Sequence, residues 1–236
     1  MDAFSGGTEF VRMTEARNLD RKFLYPNIDL PANSFMVFDK AYNLYSQFDK
    51  WTKQKIWFVT RMKDNAVYHE NKVLVDNTKK KKPKGVVKEQ LITVGYKDTK
   101  GNIIRVKLRR ITFIADDGKQ YVFLTNHLTL AASQIALIYK SRWLIELLFK
   151  QIKQNFPLRY FWGNSENAIK MQVYCVLIAQ LLMVVIRKKA ATKKSFANMI
   201  TVIRLHLMSY VALFEFIKDT YKAWRKSHNA PNAFAT

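Results

Sequence analysis

The sequence predicts an α/β fold in which a β-rich insertion separates a first strand and helix from a long helical C-terminal part. The first observation is the apolar run 35–38, which follows turn-forming residues and ends at Asp39. We interpret it as a buried strand that delivers a carboxylate at its C-terminal end. The second is a series of Val-, Ile- and Thr-rich runs between residues 56 and 124. The third is helical periodicity from Thr129 onward.

The individual elements follow in that order along the chain. Residues 8–14 predict a strand, and residues 16–25 a short helix. Residues 41–55 predict a helix with apolar side chains on one face, namely Leu44, Phe48 and Trp51. The predicted strands of the insertion, which we expect to pair antiparallel, are 56–62, 72–76, 86–96, 103–115 and 120–124. The predicted helices after them are 130–154, 164–187, 195–207 and 210–226.

These elements predict a division of the chain into four segments. Residues 1–55 form the first α/β part, and residues 56–128 form the β-rich insertion. Residues 129–190 carry the principal helices, and residues 191–236 form a C-terminal helical region. A basic loop at 79–85 lies within the insertion, where we expect either a solvated loop or one that contacts phosphates.

Composition limits the class of protein. The chain has 236 residues, of which 49% are hydrophobic, and this is enough to bury a sizeable core. Forty Lys and Arg against 18 Asp and Glu give a formal net charge of +22. Such a field attracts polyanions, so nucleic acid or an anionic membrane surface is the expected partner. Small acidic substrates do not need so much charge.

Cysteine content and apolar runs bear on the compartment. The single cysteine, Cys175, excludes a disulfide framework and a cysteine-ligated zinc site, and it indicates a reducing compartment. Residues 1–10 lack the pattern of a secretory signal, which predicts a cytoplasmic protein. The apolar run 171–186 is shorter than the ~20 residues of a spanning helix and contains two glutamines. We interpret it as a core helix that buries Cys175.

One face of the predicted helix 130–154 carries a dense set of polar groups. Tyr139, Arg142, Glu146, Lys150 and Lys153 fall within an arc of roughly 80° at ~100° per residue. Periodicity alone favours an ordinary solvated face with intrahelical ion pairs, each worth about 0.2–0.5 kcal/mol.

The spacing of four of these residues resembles a known signature. Tyr139, Arg142, Glu146 and Lys153 match the Tyr-Arg-Glu-Lys pattern of bacterial insertion-sequence DDE transposases, in the group usually called insertion-sequence-four. The surrounding segments extend the resemblance over about residues 8–190. They are FDKAY (38–42), similar to the second aspartate motif, FVTRMK (58–63), LTN (124–126), SRWLIELLFKQIKQNF (141–156) and NSENAIKMQ (164–172).

The resemblance implies a ribonuclease-H-like catalytic core, incomplete at its N-terminus. Asp39 is then the second and Glu146 the third of three carboxylates that hold two Mg²⁺ or Mn²⁺ ions for phosphoryl transfer. It further implies that Tyr139, Arg142 and Lys153 contact transposon-end DNA, and we expect Lys150, on the same face, to join them.

The first aspartate of the family has no counterpart at the expected position. Asp20 matches a family aspartate in the turn before a helix rather than the metal ligand, and helix capping is its alternative role. We therefore expect a truncated transposase that is inactive on its own.

The predicted function is DNA cleavage and strand transfer by an insertion-sequence transposase. The expected partner is double-stranded DNA, both transposon ends and target, with a possible homodimer on DNA and no stable membrane association. The expected location is the bacterial cytoplasm, at the nucleoid. Two alternatives stay open: a catalytically silent DNA-binding or transposase-interacting protein, and a peripheral membrane protein.

The remaining candidate residues fit ordinary structural roles. Trp57, Trp143 and Trp162 are expected in the core, although aromatic residues near a basic channel also stack on unpaired bases. The four histidines lack the spacing of metal ligands and are interpreted as ordinary polar residues.

Overall fold

The computed structural model describes residues 30–79, 84–156, 158, 160–208, 213–219, 221–223 and 225. The predicted strand 8–14, the predicted helix 16–25 and Asp20 lie outside these residues, as does most of the basic loop. The described residues divide into a first unit that ends at Trp143 and a second unit that begins at Leu144. The predicted division into four segments stays a prediction.

Within the described part of the first unit, one mixed sheet of six strands organises the fold. The strands are β1 (Phe35–Val37), β2 (Trp57–Arg61), β3 (His69–Asp76), β4 (Gly85–Lys97), β5 (Ile103–Ile114) and β6 (Gln120–Thr125). Their order is β1-β2-β6-β5-β4-β3, with β1 parallel to β2 and the other neighbours antiparallel. The five strands predicted between residues 56 and 124 are confirmed. They share one sheet with β1, the strand that precedes Asp39.

Helices cover both faces of this sheet. Helix α1 (Tyr45–Lys53) buries Phe48 and Trp51 in a cluster with Phe58, Ile92 and Leu108. Helix α2 (Ala132–Lys140) packs on the other face, in a cluster that contains the following residues: Val59, Ile111, Phe123, Ala132, Ile135 and Tyr139. Because side chains alternate between the two faces of each strand, the sheet contributes apolar side chains to both of these clusters.

Two predictions for the first unit were wrong in detail. The strand predicted at 35–38 is only partly buried: Phe38 is a core residue, whereas Phe35 is 42% exposed, since the three-residue β1 lies at one end of the described strand order. The helix predicted at 41–55 begins only at Tyr45. A short 3₁₀ turn, Lys40–Tyr42, precedes it, and Leu44 is its exposed N-cap residue rather than a core residue.

The predicted helix 130–154 is interrupted. Helix α2 ends at Lys140 and helix α3 (Trp143–Asn155) begins after a turn at Ser141 and Arg142. The Ser141 hydroxyl donates to the Ile138 carbonyl at 2.6 Å, a local bond that competes with regular helix geometry. The prediction that five polar residues share one face of a single helix is therefore wrong.

Three further helices lie among the described residues of the second unit, namely α4 (Glu166–Ala190), α5 (Phe196–His206) and α6 (Leu213–Lys218). Helices α4 and α5 match the predicted positions, whereas α6 covers only part of the predicted helix 210–226, since Asp219 is not helical. Ser165 and Ser195 cap α4 and α5, and each hydroxyl accepts a backbone hydrogen bond at 3.2 Å. Helices α4, α5 and α6 share an apolar cluster around Met199 and Ile217.

Helix α4 is more exposed than the sequence predicts. Only 11% of its most apolar window is buried, so the prediction of a core helix was wrong. Cys175 is exposed as well. By length and composition this helix could cross a membrane. Trp143 and Trp162 are not core residues either, since Trp162 is 91% exposed and Trp143 lies at the solvent-facing start of α3.

Candidate active site

Asp39 lies just beyond β1, at the start of the 3₁₀ turn. Its Oδ1 accepts a hydrogen bond from the backbone N–H of Ala41 at 3.1 Å. Because β1 and β2 are parallel, their C-terminal ends lie at the same edge of the sheet. Arg61, the last residue of β2, therefore places Nη2 3.6 Å from Asp39 Oδ2. The predicted position of this carboxylate at a strand end is confirmed, and 35% of its side chain is exposed.

A cleft of about 380 Å³ opens beside Asp39. Its lining residues are Asp39, Lys40, Ala41, Lys63, Asp64 and Asn65. Lys40 Nζ pairs with Asp64 Oδ2 at 2.8 Å. The hydrogen bond from Lys40, followed by its charge, holds the pKa of Asp64 below the usual range. The cleft and its rim thus combine the Asp39 carboxylate with cations that suit a phosphate group.

Asn43 fixes the turn after Asp39 to β2. Its Nδ2 donates to the Arg61 carbonyl at 2.8 Å, and its Oδ1 accepts from the Thr60 hydroxyl at 3.0 Å. Both side chains are buried. Sequence reasoning missed Asn43 and Arg61. The only available signal was that both flank apolar strand segments, whereas their proximity to Asp39 depends on the pairing of β1 with β2.

Glu146 lies in the first turn of α3, where the helix dipole favours a carboxylate. Lys150 and Lys153 follow at positions i+4 and i+7, so the three side chains share one face of the helix. Both lysines are exposed and Glu146 is half-buried. The opposite side of the helix carries the buried Leu148 and Ile152. The predicted face is confirmed for these three residues.

Tyr139 and Arg142 lie outside that face. Tyr139 belongs to α2, is 7% exposed, and packs its ring 5.1 Å from that of Phe123. The Arg142 guanidinium carbon lies 5.7 Å from the centre of the Tyr139 ring, within the range of a cation–π contact. Tyr139 thus packs against Arg142 at the turn between the two helices. The Tyr139 hydroxyl is buried and makes no hydrogen bond within the described part of the chain.

The two candidate metal ligands belong to different units of the chain. Asp39 offers a partly exposed carboxylate beside a cleft, and Glu146 offers one at a helix start. Carboxylate oxygens are the donors that Mg²⁺ and Mn²⁺ prefer, so both residues fit such ions chemically. Among the described residues no group of three or more acidic, His or Cys side chains is placed to hold a metal ion.

Comparison with known proteins places these residues in a family. The family model described as "Transposase DDE domain" matches residues 1–182. The chain belongs to this family. The match contains Asp39, Glu146, Lys150 and Lys153, whereas α5 and α6 lie beyond it.

Three curated transposases are similar to this DDE-domain chain. The protein named transposase y4zB of Sinorhizobium fredii (strain NBRC 101917 / NGR234) is 34% identical over 159 residues, covering 66% of this chain and 43% of the relative. A transposase for insertion sequence element IS5377 of Geobacillus stearothermophilus is 29% identical over 153 residues, covering 64% and 39%. A transposase for insertion sequence element IS4SA of Synechocystis is 31% identical over 125 residues, covering 49% and 34%. The matched segments span less than half the length of these relatives.

Proposed function

We propose that this chain forms part of the catalytic domain of an insertion-sequence transposase, which cleaves DNA and transfers strands by metal-dependent phosphoryl transfer. The observation that carries the proposal is Asp39, at a strand end beside a cleft that also contains Lys40, Lys63 and Asp64, in a chain whose residues 1–182 match the DDE-domain model. The mixed α/β sheet is consistent with a ribonuclease-H-like core. We propose that β3, β4 and β5 are an insertion into that core.

Asp39 and Glu146 are the proposed metal-binding carboxylates. Mg²⁺ or Mn²⁺, as two ions in the complete site, would supply charge stabilisation and an activated oxygen nucleophile. Asp39 suits this role because the Ala41 N–H fixes one of its oxygens while the cleft leaves the carboxylate accessible. Arg61, close to the other oxygen, would balance the negative charge of an incoming phosphate.

Arg142, Lys150 and Lys153 are the proposed contacts to transposon-end DNA. The two lysines project from an exposed helix face as point charges, whereas Arg142 offers a guanidinium fork for bidentate phosphate binding. Tyr139 joins this set by resemblance. Its packing against Arg142 supports a role in orienting the guanidinium, and direct contact of its hydroxyl with DNA would need the turn between α2 and α3 to open.

The proposed partner is double-stranded DNA, at transposon ends and at the target, with a homodimer formed on DNA. The charge of +22 supports this choice of polyanion. We place the protein in the cytoplasm at the nucleoid, without stable membrane association. Exposed apolar side chains of α4 are the observation that favours the membrane alternative.

A second candidate function is that of a catalytically silent DNA-binding or transposase-interacting protein. It is favoured by the finding that the described residues contain no group of three metal-ligand side chains. Two proposed carboxylates leave a pair of metal ions under-ligated.

Cleavage of transposon-end DNA tests the proposal. We expect the chain alone to neither nick nor join DNA with Mg²⁺ or Mn²⁺, and activity to appear when a segment carrying the remaining carboxylate is supplied in cis or in trans. Glu146→Gln should abolish the recovered activity. If no such segment produced activity, the silent binder would be favoured. Cleavage by the isolated chain that survived Asp39→Asn would contradict the metal-site assignment.

A further inference from the structure

The hairpin of β4 and β5 presents two unlike faces. On one face, apolar side chains pack in the cluster beneath α1, namely Ile92, Val94, Val106 and Leu108. On the other face, beyond the part covered by α2, Arg105 and Lys107 are exposed. Arg105 lies opposite Gly95, and Lys107 lies opposite Thr93. This half of the hairpin is therefore apolar towards the core and cationic towards solvent.

Neighbouring strands extend the cationic side. Lys72 of β3 pairs with Leu91, which in turn pairs with Arg109, so Lys72 lies on the same face as Lys107. Lys97 of β4 lies two residues after Gly95, so its side chain lies on the same face of the sheet, and it is also exposed. We call the set Lys72, Lys97, Arg105 and Lys107 the cationic sheet face.

The charges on the two sides of the hairpin are partnered differently. On the α1 side, Lys88 pairs with Glu70 at 3.4 Å, and Arg110 Nη1 donates to Gln90 Oε1 at 2.6 Å. The four cations of the cationic sheet face form no ion pair within the described chain.

Among β3, β4 and β5, one acidic side chain lies on the cationic sheet face, and it already forms an ion pair. Glu89 is buried and pairs with Arg109 at 2.8 Å. Four like charges without a counter-charge produce a positive potential that attracts an external anion.

We propose that the cationic sheet face binds the phosphate backbone of double-stranded DNA. The inference rests on the proposed transposase function, which supplies DNA as the polyanion. Gly95 has no side chain and Thr93 a short one, so a rod-like duplex can lie close to this face. Arg105 and Lys107, two residues apart on one strand, project at a spacing of about 6.8 Å. Lysine and arginine contacts of this kind position a duplex without reading its sequence.

The test is a salt titration of duplex binding by the Arg105→Gln/Lys107→Gln variant and by the parent chain between about 50 and 200 mM salt. The slope of log K against log salt is negative, and each lost phosphate contact reduces its magnitude by about 0.9, so we expect a slope that is shallower by about 1.8. At about 0.1 M salt the affinity should fall at least about tenfold. Melting temperatures and circular dichroism should match those of the parent, since both side chains are exposed.

Two control variants separate local contacts from net charge. Arg105→Lys/Lys107→Arg keeps both charges and should keep the parental slope. Lys50→Gln/Lys55→Gln removes two exposed cations on and just after α1, on the other side of the sheet, and should change the slope by much less than 1.8. An equal loss in this second control would overturn the inference, because net charge alone would then account for the effect.

The remaining outcomes are distinct. A steep slope in the parent that is unchanged in the Arg105/Lys107 variant would overturn the inference and leave the proposed function intact. Salt-independent or absent binding by the parent would overturn both. If the variant lost binding to phosphatidylserine vesicles but not to DNA, the face would be a membrane contact and the inference would be wrong.

Discussion

At the scale of single residues, Asp39 combines a structural role with the proposed catalytic one. Its carboxylate caps the 3₁₀ turn through the Ala41 N–H and lies close to Arg61. An amide side chain preserves the cap because its oxygen still accepts a hydrogen bond. Asparagine, however, removes the negative charge that would bind a metal ion. The two roles are therefore separable by substitution.

We expect Asp39→Asn to keep the stability of the parent within about 0.5 kcal/mol, since it keeps the cap and loses only a partly exposed ion pair. Asp39→Ala should lower the free energy of unfolding by about 1 kcal/mol because the cap is lost. Both variants should eliminate the cleavage that a complemented chain recovers. Urea denaturation and a cleavage assay measure the two effects. Equal destabilisation by Asn and Ala would show that the cap does not matter.

His127 gives the folded chain a titratable group near neutral pH. Its Nδ1 accepts a hydrogen bond from the Leu130 backbone N–H at 3.1 Å, and its ring stacks on Phe35 at 5.5 Å. Burial, and then the charge of Arg109, lowers the pKa of His127 below its usual 6.5. The folded state therefore favours the neutral imidazole.

Stability should depend on pH through this histidine. Above the unfolded pKa of about 6.5 the imidazole is neutral in both the folded and the unfolded state, so His127 does not lower the free energy of unfolding there. As the pH falls from about 6.5 to the lowered folded pKa, the unfolded state binds the proton more readily, so the free energy of unfolding decreases. Below the folded pKa both states are protonated, and this histidine causes no further decrease. We expect a lower melting temperature at pH 5.5 than at pH 7.5. His127→Phe should show a smaller difference, and an unchanged difference would contradict the assignment.

At the scale of elements, the strands were predictable and the helix junction was not. In β4 and β5, more buried and more exposed side chains alternate along the strand. The two strands are joined by the turn at Asp98–Gly101, where Gly101 has a φ of 84°. Such signals are local, so the sequence is sufficient. The break at Ser141 depends on one hydroxyl-to-carbonyl bond in a segment whose apolar periodicity continues across it. Periodicity therefore predicts a continuous helix there.

The buried Glu89–Arg109 pair connects β4 and β5 to the segment after β6. Arg109 Nε bonds Glu89 Oε1 at 2.8 Å, and its Nη1 donates to the backbone carbonyl of His127 at 3.3 Å and to that of Leu130. Both side chains are almost completely buried. Removal of one partner leaves a buried charge without compensation.

Glu89→Leu should therefore destabilise the chain by about 3–5 kcal/mol. The double variant Glu89→Leu/Arg109→Met should be less destabilised than Glu89→Leu alone, since no buried charge is left. Some loss should persist because the carbonyls of His127 and Leu130 lose their donor. Chemical denaturation of the single and double variants measures the coupling. A double variant as unstable as the sum of its single variants would contradict the importance of the pair.

At the scale of the whole molecule, the candidate site was only partly predictable. Asp39 was predicted at a strand end, and Glu146 was predicted from the resemblance of its neighbours to a family signature; their roles as metal ligands stay predictions. Arg61 and Asn43 were not found, because their proximity to Asp39 is created by parallel pairing between segments far apart in sequence. The exposure of α4 was also missed, since an apolar sequence is equally consistent with a covered and an uncovered helix.

Binding and catalysis should be separable in the whole chain. We expect Asp39→Asn/Glu146→Gln to bind duplex DNA with at least the parental affinity and the same steep salt dependence, because removal of two carboxylates leaves all cations in place. Fluorescence anisotropy at two salt concentrations measures this. Weaker binding by the double variant, at unchanged melting temperature, would indicate that the carboxylates organise the DNA contact itself.

The irregular pairing of β3 has a consequence for growth of the sheet. Its register with β4 shifts between Glu70 and Lys72 and again between Val73 and Val75. Bulges and a lysine on an outermost strand are features that prevent unwanted edge-to-edge association. The β3 side of the sheet is therefore protected against strand addition and aggregation, even though β3 is eight residues long. Any strand from elsewhere that extends this sheet should join at β1.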